Sequence, residues 1–290
     1  MRTVVLTALA LAAFAANSIL CRMALSRSMI DAATFSTLRL ASGAVTLSVL
    51  VAVSRGSGRV FEGSWSSAGA LALYAIPFSF AYNGLTTGTG ALILFGAVQV
   101  TMIAAALRGG ERPTPLQWLG LGAAVGGLVY LVLPGLAAPD PLSAALMTIA
   151  GISWGIYTLR GRRIRDPLVQ TSGNFVRAVP LVLLVSVAAA PRFHADTGGV
   201  ALALLSGSAA SGLGYAIWYA ALPGLSSTRA AAVQLLVPVL AALGGVAFLA
   251  ELVTARLAIS TLLVIGGIAI VLAGRELSGR PTAPAPLARP

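Results

Sequence analysis

Apolar runs of about 20 residues, separated by short polar or glycine- and proline-containing breaks, follow one another along the chain. They predict helices near 3–21, 33–54, 66–84, 88–107, 115–133, 142–160, 168–190, 199–221, 228–249 and 256–274. Long helices that are apolar on every face suit a bilayer, where each segment must satisfy its own backbone hydrogen bonds. Ten such runs leave about 90 residues, spread over loops and tails, so no soluble domain fits.

The pattern also repeats. A shift of 140 positions lays Phe14 on Trp154, Arg22 on Arg162, Ala91 on Ala231, Glu111 on Glu251, Thr114 on Thr254, and Gly126-Gly127 on Gly266-Gly267. If each copy has five crossings, the second sits upside down, an arrangement that builds one mid-membrane site able to open to either side. The predicted fold is an all-α integral membrane protein of ten transmembrane helices in two inverted five-helix repeats. The repeats occupy residues 1–135 and 136–275, and 276–290 form a disordered cytoplasmic tail. The alanine-rich start after Arg2 resembles a signal peptide. Because residues 9–22 pair with 149–162 in mid-chain, it is read as the first span.

Composition agrees. The chain is 58% hydrophobic and 9% charged, with a mean hydropathy of +0.92, against roughly 25% charged residues in soluble domains. Its net charge of +11 comes from 19 arginines without a lysine. They form no basic stripe interleaved with aromatics, which excludes a nucleic-acid partner. With the N-terminus inside, 13 arginines fall in inner segments and four (Arg22, Arg27, Arg192, Arg256) in outer ones, so both termini are expected in the cytoplasm of a bacterial inner membrane. Cys21 and His194 are the only residues of their kinds. No disulfide, metal cluster, cofactor or enzymatic triad is therefore expected. All eight carboxylates fall in loops or tails, which disfavours a proton-driven carrier of cations. Of these, Glu111 and Glu251 are expected to cap or bridge the turn into the next helix.

The candidate site consists of polar and aromatic side chains inside spans. Asn17, Phe78, Tyr82, Gln99, Trp154, Tyr157, Asn174, Tyr215, Trp218 and Gln234 form the expected substrate-binding set. Asn17 and Tyr157 occupy equivalent repeat positions and are expected to face one another. The competing reading for each is helix packing, interhelical hydrogen bonding or an interfacial aromatic belt. Arg39 and Arg177 start within about two turns of their helix ends, which favours snorkelling or binding of loop carbonyls. The alternative is that they attract a substrate carboxylate. Pro77, Pro180 and Pro238 mark possible kinks within spans. Gly122, Gly126, Gly244, Gly245, Gly266 and Gly267 suggest close packing mainly within the chain, hence a monomer or weak dimer.

Phe14-Ala15-Ala16-Asn17 followed by Arg22, and Trp154-Gly155-Ile156-Tyr157 followed by Arg162, resemble the repeated first-helix motif of the drug/metabolite transporter superfamily. Arg39 and Arg177 match its second-helix arginine, and Gly110-Glu111 and Ala250-Glu251 its turn between fourth and fifth helices. The first copy departs in having Phe14-Ala15 where the motif has Trp-Gly. The resemblance covers the chain to about residue 274 and is to EamA-type members, most of all YddG-type exporters of aromatic amino acids. It implies an exporter of neutral or zwitterionic amino acids and related metabolites, working in the lipid bilayer by alternating access. The alternatives are a broader drug or nucleotide-sugar carrier and, from another class, a polytopic membrane enzyme.

Overall fold

The structure is a computed structural model and describes residues 1–55, 62–110, 114–133, 138–161, 164–225, 230 and 233–277. Its helices are α1 (Arg2–Ser26), α2 (Ala32–Arg55), α3 (Trp65–Ala81), α4 (Thr87–Arg108), α5 (Pro115–Val132), α6 (Pro141–Gly161), α7 (Pro167–Ala188), α8 (Thr197–Leu205), α9 (Gly214–Ala221), α10 (Leu236–Leu249) and α11 (Ala255–Leu277). A π-helical stretch, Ser206–Leu213, joins α8 to α9 in one rod. No strand occurs among the described residues, and a lone Ile30–Ala195 bridge ties two loops together. Counting α8 through α9 as one, eight rods are long and apolar enough to cross a membrane. Of the other two, α3 has 17 residues and α10 has 14.

The exterior is greasy and the interior carries the polar groups, the reverse of a soluble protein. Leu, Val and Ile side chains stand exposed on the rods, whereas Asn17, Arg39, Gln99, Asn174 and many serines are buried. Trp65 and Trp118 are 61% and 53% exposed at the starts of α3 and α5, where amphipathic rings suit an interfacial belt. The acids serve helix starts. Asp31, Asp140, Asp166 and Asp196 accept from the backbone N–H groups of Thr34, Ser143, Val169 and Gly199, meeting donors that have no partner within the helix. Ser143 also holds the Asp140 carboxyl below its ordinary range.

The principal helix partnerships are α5 with α11, α2 with α7 and the π-helical stretch, α3 with α6 and α7, α4 with α6 and α10, and α1 with α8, α9 and α10. The α5–α11 seam is a backbone contact: a Cβ at Gly120 or Gly267 would strike the other residue's carbonyl. Gly244 and Gly245 likewise meet Ile19, Thr87 and Glu251. Gly122, Gly126 and Gly266, expected at such seams, have nothing within 4 Å of an added Cβ. The helix phase explains it, since Gly120, Ala124 and Gly127 turn inward and Gly122 and Gly126 do not.

Two further expectations change. The ninth span is interrupted: Ala230, Val233 and Gln234 are helical, Leu235 is a turn, and α10 continues from Leu236. Pro238 follows that turn and has no N–H to bond the carbonyl of Gln234 four residues back, in keeping with the break, while Pro77 and Pro180 are inside α3 and α7. The helix of α11 runs through Leu277, into the expected tail, and 278–290 lie outside the described residues. Glu111, Arg162 and Ala231, members of the repeat pattern, also lie outside them.

Candidate functional site

A narrow cavity opens at the centre of the bundle. Side chains spaced four residues apart, hence on one helix face, supply much of its wall: Phe14 and Ser18 on α1, Tyr74 and Phe78 on α3. Trp154 of α6 closes it, packing on Tyr74 with ring centres 5.0 Å apart and on Tyr215 at 5.3 Å. Phe14 reaches Tyr215 at 5.8 Å, and Tyr74 reaches Phe78 at 5.4 Å. Leu94 and Phe95 of α4 and Gln234, just before α10, complete the lining.

The π-helical stretch supplies the polar side. Its widened turns carry Ser206, whose hydroxyl donates to Asn17 Oδ1 at 2.6 Å, and Ser211, which accepts from Arg39 Nε at 3.3 Å. Such widened turns recur at functional sites. The stretch lies flush against α2, because a Cβ on Gly207 would collide with the Arg39 carbonyl and the Ser42 hydroxyl.

Arg39 overturns the snorkelling expectation. It is 1% exposed and lines the cavity. Its Nη2 donates to the Tyr74 hydroxyl at 2.7 Å, and its guanidinium carbon sits 4.7 Å from the Phe78 ring centre and 5.1 Å from that of Tyr74. Nη1 has no hydrogen-bond partner, and no carboxylate among the described residues pairs with this arginine. The helix phase aims Arg39 at α3 and the π-helical stretch, which distance from the helix end does not reveal. Arg177 behaves as expected, donating to the carbonyls of Glu62 at 3.3 Å and Gly173 at 3.1 Å.

The ten candidate residues separate into three groups. Asn17, Phe78, Trp154, Tyr215 and Gln234 share the cavity. Tyr157 and Asn174 line a second pocket with Ser67, Thr171 and Tyr219, where Asn174 Nδ2 donates to the Tyr157 hydroxyl at 3.3 Å. Stacked pairs Trp154–Tyr157 and Tyr215–Tyr219 link the two spaces. Asn17 and Tyr157 thus do not meet: Asn17 donates to Tyr74, and Tyr157 donates to Thr171. Tyr82, Gln99 and Trp218 are buried away from both pockets: Tyr82 packs edge-on to Phe78, Gln99 lies within α4, and Trp218 sits beside Phe14 and Ala10. The expected binding set left out Phe14, Ser18, Tyr74, Leu94, Phe95, Ala210 and Ser211, which also line the wall; the four-residue spacing of Phe14 with Ser18, of Tyr74 with Phe78 and of Ser211 with Tyr215 was the available signal.

A clasp closes the bundle beside Tyr82. Arg22 Nε pairs with Glu251 Oε1 at 3.3 Å, and its Nη1 donates to the Tyr82 and Asn83 carbonyls at 2.8 and 3.2 Å. Glu251 Oε2 accepts from Thr87 N at 2.8 Å. Glu251 therefore serves the start of α4, while Thr254 caps the next helix, α11.

The EamA-like transporter family matches residues 142–273. An uncharacterized protein of Pseudomonas aeruginosa is 52% identical over 274 residues, covering 94% of this chain and 96% of its own. A crystal structure of another protein aligns with 92% of this chain and 99% of its own at a TM-score of 0.63 and 20% identity, a likeness of fold. On the family match and the full-length kinship together, the chain belongs to the EamA-like transporter family of the drug/metabolite transporter superfamily.

Proposed function

We propose that the chain exports neutral and zwitterionic amino acids, aromatic ones foremost, with related metabolites, across a bacterial inner membrane by alternating access. The observation that carries this reading is the aromatic box: Phe14, Tyr74, Phe78, Trp154 and Tyr215 surround a cavity whose lining contains no carboxylate. Flat apolar faces stack a cargo ring, and Ser211 and Gln234 offer polar partners to its other end.

Residues 1–135 and 136–275 are read as inverted repeats. Advancing each rod by five, with α8 through α9 as the eighth, turns the α3–α6 contact into that of α8–α9 with α1. The same exchange turns α4–α6 into α10–α1, and α2 against the π-helical stretch into α7–α3. The α5–α11, α2–α7 and α4–α10 contacts map onto themselves. The family match beginning at residue 142 supports the same division. With the termini cytoplasmic, the Arg22–Glu251 clasp shuts the outer mouth, and the Tyr157–Tyr219 pocket marks the route inward. The unit is read as a monomer or weak dimer.

Proteoliposomes loaded by exchange with labelled phenylalanine or threonine test the reading. Accumulation above empty liposomes is expected. Equal accumulation across a panel of neutral amino acids would reject it.

A further inference from the structure

We infer that Arg39 is a carboxylate-binding residue, and that the cavity demands a carboxylate on an apolar body while leaving an ammonium group optional. The inference rests on the amino-acid reading above but narrows what that site recognises. A guanidinium carries its donors in a fixed fork that matches a carboxylate. In Arg39, Nε and Nη2 are held by Ser211 and Tyr74, which fixes the fork and leaves Nη1 as a buried donor without a partner. An isolated buried charge is costly, and the rings of Phe78 and Tyr74 offset only part of that cost. A carboxylate in the cavity would supply the missing opposite charge and accept from Nη1. The Tyr74 hydroxyl, already accepting from Arg39 and Asn17, retains its own proton to donate to the same anion.

The cavity offers an ammonium nothing comparable. Its lining has no acid, and Asn17 Oδ1 is engaged by Ser206, leaving Gln234 as the remaining amide. A carboxylate seated at Arg39 leaves its apolar body against Trp154, Tyr215 and Phe14. Aromatic carboxylates lacking the amino group therefore fit the same place, and amines lacking the carboxylate do not.

The test uses purified full-length protein in nanodiscs, with binding of labelled phenylalanine challenged by unlabelled 3-phenylpropionate and phenethylamine. We expect 3-phenylpropionate to compete within about threefold of phenylalanine, and phenethylamine to be weaker by about tenfold or more. In R39Q, affinity for both carboxylates should fall about tenfold or more, while R39K, which keeps the charge without the fork, falls between. Carboxylate ligands should raise the melting temperature of the wild type and not that of R39Q, whose unliganded value should be no lower. Phenethylamine competing as well as 3-phenylpropionate, or R39Q binding either carboxylate normally, overturns the inference; the wild-type competition decides if R39Q does not fold. Phenylalanine binding that ignores Arg39 leaves the amino-acid reading standing without this one. Arg39-dependent binding of 3-phenylpropionate alone does the reverse, and no binding of any of the three rejects both.

Discussion

Trp154 packs against Tyr74, Tyr157 and Tyr215 at once, so it joins the cavity to the second pocket. Trp154→Ala should weaken phenylalanine binding about three- to tenfold, the scale of lost ring stacking, while leaving membrane insertion intact. Gln234→Ala should cost about two- to tenfold by removing one hydrogen-bonding amide. Competition binding with each variant checks both; wild-type affinity in both would move the site elsewhere. At this scale the sequence was partly legible. Trp154 stood out because it lies within a repeated motif, and Tyr215 as an aromatic side chain inside a span. Arg39 misled because distance from a helix end says nothing about facing: its helix turns it toward Tyr74 and Ser211. Tyr82 and Trp218 show the opposite error, being aromatics in the right rods on the wrong sides.

The least legible element is the rod from Thr197 to Gly224. Its hydropathy predicts one unbroken helix, yet the small residues Ser206-Gly207-Ser208-Ala209-Ala210-Ser211-Gly212 adopt wider π-helical turns. Small side chains allow that by letting α2 press against the backbone. Gly207→Ala should destabilise the protein by about 1–3 kcal/mol, since the added methyl meets the Arg39 carbonyl. Gly122→Ala, where nothing stands within 4 Å, should be neutral or mildly stabilising. Thermal unfolding in detergent compares the pair, and equal melting temperatures would mean that α2 is not seated on Gly207. The tandem glycines at 126–127 and 266–267 marked a seam, but only Gly127 and Gly267, with Gly120, form it. Periodicity found the rods; which stripe of each faced inward needed the partners.

For the whole molecule, greasy spans, outlying acids and the helical class were readable directly from composition and pattern, because a bilayer imposes them on any such chain. The central cavity was not, since it depends on six helices converging. The clasp joins the ends of α1 and α3, the start of α4 and the turn after α10 through one ion pair. Glu251→Gln should therefore loosen that mouth. Cys21, fully buried one residue from Arg22, is a native reporter: its labelling by a membrane-permeant maleimide should quicken in the variant. Unchanged labelling would assign the closure to other contacts.

The lone guanidinium at the centre has an electrical consequence. At an effective dielectric constant of about 20, a second unit positive charge brought within 4 Å of it is repelled by about 4 kcal/mol. Sodium, potassium and hydronium drawn by the membrane potential meet that barrier whenever the cavity is vacant. Arg39 would thereby insulate an idle protein against short-circuiting its own membrane. Liposomes carrying R39Q should dissipate a potassium gradient faster than wild-type ones.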